Sequence, residues 1–408
     1  MPKALFLGLP LHGHTNPSLP LVRALVERGE EVVYFSSEPF AAGIRQAGAQ
    51  YRPYRNAFLA DPRQVSETDQ IAWLLMRTTG EVLAQELDAF RAERPDYIIS
   101  DSAAPWGQWT AQLLGVPVVT SITTFAVNRH VMTFAASSGT RPKNPRFVLS
   151  KIRHIAKAVL LGRRLRRTYG VKGTGLIGLM FGSSDLNIVY TSRHFQPCAG
   201  TFDDRFLFVG PSVGSRTETA DFPWDGASQA DVIYISLGTL FNADPTFYRN
   251  CFEAFGGENV RVVMSIGTTT AAASLGSPPA NVVVKAWVPQ LDVLRHASVF
   301  VSHGGMNSVS ESLHNGVPLI VVPQMGEQEL VGRQVERLGA GVYLAKHEAT
   351  ADRLRQSVLR VRTDDRFRKQ AALVRESFDA AGGAARGADA ILAFIRGPVQ
   401  GVPDTRVS

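Results

Sequence analysis

Apolar residues in this chain come in short unbroken runs, each followed by small or polar residues and then by a stretch with helical spacing. Lys3 to Gly8 is one such run and Asp96 to Ser100 another; Val232 to Ile235, Val299 to Val301 and Val317 to Val322 repeat the pattern in the second half. Apolar runs of this kind predict parallel strands covered on both faces. Pro17 to Arg28 predicts a helix, with Pro near its start and Gly29 just past its end, preceded by a loop at Leu9 to His14. Strand and helix alternating through both halves predicts an α/β chain of two Rossmann-like, doubly wound domains. A polar stretch from Ser212 to Gln229 marks the joint, so the expected domains are 1–211 and 231–381 with 212–230 as linker. An Ala-rich helical pattern follows at 382–396, and 397–408 reads as a disordered tail.

Polar chemistry is concentrated between Trp287 and Gln328. The strand that ends at His303 is followed by Gly304, Gly305, Asn307 and Ser308, then by Glu311, and the next strand by Glu327 and Gln328. A glycine turn between strand and helix points backbone N–H groups at an anion, and the helix N-terminus adds partial positive charge. A diphosphate fits there. Gly304 and Gly305 let a phosphate approach the backbone, Asn307 and Ser308 add short donors, and His303 can donate a ring N–H. Ser308 can also cap its helix, a role compatible with phosphate binding. Glu311, about one helical turn on, can accept from vicinal hydroxyls such as those of a ribose. Trp287 offers a flat face to a base, a stack worth roughly 1–3 kcal/mol. Glu327 and Gln328 can read sugar hydroxyls. Ser236-Leu237-Gly238-Thr239 closes the strand Val232 to Ile235 with a second small-residue turn.

In the first half, His14 stands at the carboxyl end of the first strand, where open α/β sheets place their ligands. Asp101 directly follows another strand. Attack of an alcohol on an anomeric carbon needs a group to take the departing proton, and an imidazole near neutral pKa suits that task. A carboxylate behind the ring fixes its tautomer and stabilises the imidazolium.

These residues resemble the C-terminal signature of the family 1 glycosyltransferases, nucleotide-sugar enzymes with the two-domain GT-B fold. Trp287, Val288, Pro289 and Gln290 match its Trp-x-Pro-Gln element, and His303 to Glu311 match His-x-Gly-x-Asn-Ser-x-x-Glu. Gly316 to Pro318 and the acidic-Gln pair Glu327-Gln328 complete it. Glu327 to Leu330, with Arg337-Leu338-Gly339 and Gly341, is similar to the bacterial macrolide-glycosyltransferase subfamily, although many members carry Asp where Glu327 stands. The resemblance implies His14 as general base oriented by Asp101, and donor contacts from Thr239, Trp287, Val288, Gln290, His303, Gly305, Asn307, Ser308, Glu311, Glu327 and Gln328. It implies that the final helix crosses back to the first domain. Direct displacement predicts inversion of the anomeric centre, with glucose from UDP-glucose as the simplest donor. No Asp-x-Asp pair ends a strand, so no metal and no cofactor beyond the donor is expected.

An acceptor pocket is expected in the first domain, with Trp73, Met76, Phe125, Met132 and Phe134 as candidates for an apolar wall suited to macrolides, flavonoids or other polyketides. Cys198 and Cys251 are too few for a disulfide framework or a cysteine metal site. The N-terminus lacks a signal-peptide pattern and no apolar run spans a bilayer, so a cytoplasmic enzyme, monomeric or weakly dimeric, is expected. Charge departs from this picture. From Ser102 to Ser184 the chain has twelve Lys or Arg and no acid, eight of the cations lying in 151–172. That segment reads either as a solvated basic face or as a surface for anionic acceptors or membrane; nucleic acid is not expected, since no binding module accompanies it. Three classes stay open: an inverting transferase onto a small or membrane-borne lipid acceptor, an epimerase or hydrolase on the same scaffold, and a non-catalytic relative. Intact His14 and Asp101 favour the first.

Overall fold

The computed structural model describes residues 1–56, 71–138, 145–172, 184–213, 222, 224, 231–238 and 242–397. Two parallel sheets organise them. The first contains β1 (Lys3–Leu7), β2 (Glu31–Ser36), β3 (Gln50–Pro53), β4 (Tyr97–Asp101), β5 (Val118–Ile122), β6 (Leu186–Val189) and β7 (Phe206–Phe208), in the order β3-β2-β1-β4-β5-β6-β7. The second contains β8 (Val232–Ser236), β9 (Arg261–Ser265), β10 (Val282–Lys285), β11 (Ala297–Ser302), β12 (Leu319–Val321) and β13 (Gly341–Tyr343), in the order β10-β9-β8-β11-β12-β13. Strand order reverses between β1 and β4 in one sheet and between β8 and β11 in the other. Ligands bind beyond the carboxyl ends of strands at such switch points.

Both sheets are buried on both faces, which is why their strands read as unbroken apolar runs. In β1, Ala4 and Phe6 pack into one cluster while Leu5 and Leu7 pack into another on the opposite face. In β8, Ile233 and Ile235 face one cluster and Val232 and Tyr234 the other.

The first helix differs from its sequence reading. It spans His12–Glu27, with Pro17 and Pro20 inside it. The amides of His14 and Thr15 both donate to the Leu11 carbonyl, at 3.0 and 2.8 Å, and close a turn ahead of Pro17. Pro17 and Pro20 stand past the first turn, so each forgoes one bond, to the carbonyls of Gly13 and Asn16. His14 therefore stands on the first helical turn and not on a loop.

The domains are joined by the last helix and by an aromatic contact beyond the carboxyl ends of β5 and β6. Helix Gly383–Arg396 packs on helix His12–Glu27, placing Ala388 and Ile391 with Leu21 and Val22, and Arg28 pairs with Asp389 at 2.6 Å. Phe195 stands between Phe125 and Phe378, with ring centroids at 5.4 and 5.8 Å, and its carbonyl accepts from Gln334 at 2.9 Å. The linker is anchored too: the Phe222 amide and the Trp224 indole N–H both donate to Asp292, each at 3.1 Å. Among the described residues no helix is long and apolar enough to cross a membrane.

Candidate active site

Strands β1, β4 and β5 are neighbours in the first sheet, so the residues at their carboxyl ends meet. His14 Nδ1 lies 3.1 and 3.0 Å from the two oxygens of Asp101. The carboxylate can only accept, so Nδ1 carries the proton and Nε2 is left as the basic nitrogen. Asp101 is buried, and the Ala103 amide donates to it at 2.7 Å. A third group was not among the sequence candidates: the Thr123 hydroxyl, also buried, is 3.2 Å from the same nitrogen. Its place one residue beyond β5, beside β4, is the signal that could have found it.

Burial of the His14 ring opposes its protonation, but attraction and a hydrogen bond from Asp101, together with the charge of Glu327, outweigh it and hold the imidazole above its usual pKa. Glu327 belongs to the second domain. It is exposed, on the first turn of helix Gly326–Arg337; partial desolvation raises its carboxyl pKa and the charge of His14 pulls it back down. These two residues face each other electrostatically across the domains.

The donor-side residues form a network of their own. Gln290 opens helix Gln290–His296; its amide N–H donates to Glu311 at 2.6 Å and lies 3.4 Å from Ser308 Oγ, while its carbonyl accepts from Tyr234 at 3.1 Å. Glu311 is thus buried and oriented by a neighbour. With Asn307 and Ser310 it lines a recess between the domains, opposite Pro17 and Tyr190. Helix Met306–His314 starts behind Gly305 and no side chain caps it, Ser308 included. Trp287 is 60% exposed, so its indole face is open.

The glycines serve a purpose the sequence did not disclose. A Cβ on Gly305 would stand 2.4 Å from His303 Nε2, and one on Gly238 2.6 Å from His303 Cε1. These two glycines make room for the imidazole. Gly304 needs its φ of +87° and has Val321 against it. Burial pushes the His303 pKa down to about 4, with a hydrogen bond to the Ser236 backbone opposing it only in part, so the ring is neutral at pH 7.

Several candidates are placed differently from their sequence reading. Val288 points into the core, because it sits where the chain enters helix Gln290–His296 against Tyr234 and Phe300, and only its main chain is available to a ligand. The Gln328 carbonyl is committed to the amides of Gln324 and Met325, at 2.8 and 3.2 Å, which leaves its NH₂ for another partner. Thr239 lies outside the described residues. On the acceptor side, Met76 is fully buried between helices and Phe125 belongs to the interdomain core, so neither side chain lines a pocket wall. Their apolar surface is used in packing. Trp73 is half-buried under Arg77, Met132 is exposed, and Phe134 lies 6.0 Å from the Arg337 guanidinium of the other domain. Among the described residues no group of His, Cys, Asp or Glu could hold a metal ion.

Two Rossmann-like domains, one carrying a His-Asp pair and the other an uncapped helix behind a glycine turn, are the GT-B arrangement. Residues 252–385 match the erythromycin biosynthesis protein CIII-like C-terminal domain. The NDP-glycosyltransferase YjiC of Bacillus subtilis is 37% identical over 96% of this chain and 96% of its own. The demethyllactenocin mycarosyltransferase of Streptomyces fradiae is 33% identical over 95% of this chain and 85% of its own. The crystal structure of the calicheamicin glycosyltransferase CalG4 superposes with a TM-score of 0.79 at 30% identity, covering 98% of this chain and 100% of that one. The chain belongs to the family 1 glycosyltransferases of the GT-B fold, in the branch that includes macrolide glycosyltransferases, and is a nucleotide-sugar-dependent transferase.

Proposed function

We propose that the protein transfers a sugar with inversion, glucose from UDP-glucose in the first instance, to a hydroxyl of a small lipophilic acceptor such as a macrolide, flavonoid or other polyketide. The observation that carries this reading is the pairing of His14 with Asp101, opposite Glu327 of the other domain. In the reaction the acceptor oxygen attacks the anomeric carbon as the bond to the diphosphate breaks, the hydroxyl proton passes to His14 Nε2, and the nucleoside diphosphate leaves. Asp101 holds Nδ1–H and stabilises the imidazolium. Such general-base assistance contributes roughly 10² to 10⁴ in rate, and holding both substrates in one cleft lowers the barrier by roughly 7–11 kcal/mol in favourable cases.

On the donor side, Trp287 stacks the base and Glu311, turned by Gln290, accepts from the ribose. The amides at the start of helix Met306–His314, with Thr239, Asn307 and Ser308, take the diphosphate. His303, neutral and with its one N–H turned to the Ser236 backbone, shapes the turn without a charge that would hold the product, and Glu327 with the Gln328 NH₂ contacts the sugar. This set carries the diphosphate without a metal, so excess EDTA should leave the rate unchanged. The acceptor class is supported by the relatives named for macrolide glycosylation and by the partly exposed Trp73, Met132 and Phe134.

The test is a panel of alcohol and phenol acceptors with UDP- and dTDP-sugars, on wild type and His14→Ala, with glycosides detected by mass and their anomeric configuration read by NMR. β-Glycosides from α-linked donors, lost in the variant, are expected. Equal turnover by His14→Ala removes the assigned base, and retained configuration removes the single displacement.

A further inference from the structure

Helix Pro145–Tyr169 has two faces of different chemistry. Ala158, Leu161, Gly162 and Leu165 turn inward onto helix Ile71–Ala92. The approach is close: a Cβ on Gly80 would stand 2.8 Å from Leu165, and one on Gly162 3.2 Å from the Met76 sulfur. On the other side Arg153, Lys157, Leu160, Arg164 and Arg167 recur at alternating steps of four and three and form one exposed stripe, flanked by Arg163. Leu160, in the middle of it, is 64% exposed.

The five cations make no ion pair with a described carboxylate, and the helix contains no acidic residue. Like charges three and four residues apart disfavour a helix by a few tenths of a kcal/mol per pair, so this face carries a repulsion that an external anionic surface would relieve. Neither the sugar nor the diphosphate needs it, since the groups assigned to them lie on other elements.

We propose that this stripe docks on a lipid bilayer bearing anionic headgroups, with Leu160 entering the interface. The stripe is a row of exposed cations around one apolar side chain, an arrangement met better by mobile headgroups than by a rigid partner. A nucleic-acid surface would leave Leu160 against phosphate.

The full chain is sedimented with vesicles of phosphatidylcholine alone and of equal parts phosphatidylcholine and phosphatidylglycerol, at low and physiological salt. Binding to the anionic vesicles only, weakened by salt, is expected. Each cation near such a surface favours partitioning by about fivefold, so R163Q/R164Q/R167Q should lose roughly a hundredfold, with melting temperature retained. Leu160→Gln should weaken the binding that survives physiological salt. Failure of wild type to sediment with anionic vesicles overturns the proposal, as does a triple variant that partitions like wild type. Retention on double-stranded DNA with no vesicle binding overturns it in favour of nucleic acid.

Discussion

The two walls of the cleft are built by different means. On the donor wall, Gln290, Ser308 and Glu311 come from adjacent stretches of chain and hold one another, and Gln328 closes the turn just ahead of itself. On the catalytic wall, His14, Asp101 and Thr123 lie 87 and 109 residues apart and converge on one ring nitrogen only because β1, β4 and β5 are hydrogen-bonded neighbours. The donor wall is a local motif that the sheet supports. The catalytic wall is a product of the sheet itself. A donor-wall change is therefore expected to act mainly on donor affinity, and a catalytic-wall change on turnover.

The largest effect should come from His14→Ala, with a fall in kcat of roughly 10² to 10⁴ and little change in donor dissociation constant by calorimetry. A matching loss of donor binding would erase the division between the walls. Asp101→Asn sharpens it through pH. The base must be unprotonated to act, and its pKa is raised chiefly by Asp101 against the cost of burial, so the wild-type rate falls as pH drops through that raised value. Removing the carboxylate charge should move the acid limb of kcat/KM to lower pH.

His303 provides a test of the donor wall by stability. Its folded pKa is depressed to about 4, so as pH falls below the ordinary imidazole value the unfolded chain takes a proton that the folded chain refuses. Stability is lost over that window, by up to about 3 kcal/mol. Melting temperatures of wild type and His303→Asn between neutral and pH 4 should converge on acidification, and parallel curves would show that the ring is not held neutral by burial.

Gly305→Ala should come next. The backbone there, φ −62° and ψ 135°, suits any residue, so the change reports only the contact with the His303 ring. Overpacking of this kind costs about 1–3 kcal/mol, with roughly tenfold weaker donor binding if the ring shifts by a few tenths of an ångström. The smallest effect belongs to Thr123→Val, which removes one hydroxyl from His14. A loss of about twofold to tenfold in kcat is expected, with donor KM unchanged.

How much was legible follows the same division. His303, Gly305, Asn307, Ser308 and Glu311 could be placed along one strand end, glycine turn and helix start by spacing alone, because those elements fix their geometry within a few residues. His14 and Asp101 could be placed at strand ends, but their contact could not be measured by spacing, and Thr123 escaped because nothing local distinguishes a threonine after a strand. The helix start at His12 escaped because Pro17 is a strong local signal, overridden by two amides on the Leu11 carbonyl. Met76 and Phe125 looked like pocket walls because an apolar residue carries no mark of whether it meets a ligand or another helix.

By itself the sequence determined that the chain forms two covered parallel sheets, where a glycine turn opens a helix, and which imidazole stands at a sheet end. Apolar runs and glycine turns act over a few residues, and their physics is local. Tertiary structure alone decided that Asp101 and Thr123 meet His14, that the charge of Glu327 reaches it from the other domain, and that Gly238, at the end of the neighbouring strand, makes room for the His303 ring. Those contacts depend on strand order and domain docking, which many weak packing interactions set together and no short segment encodes.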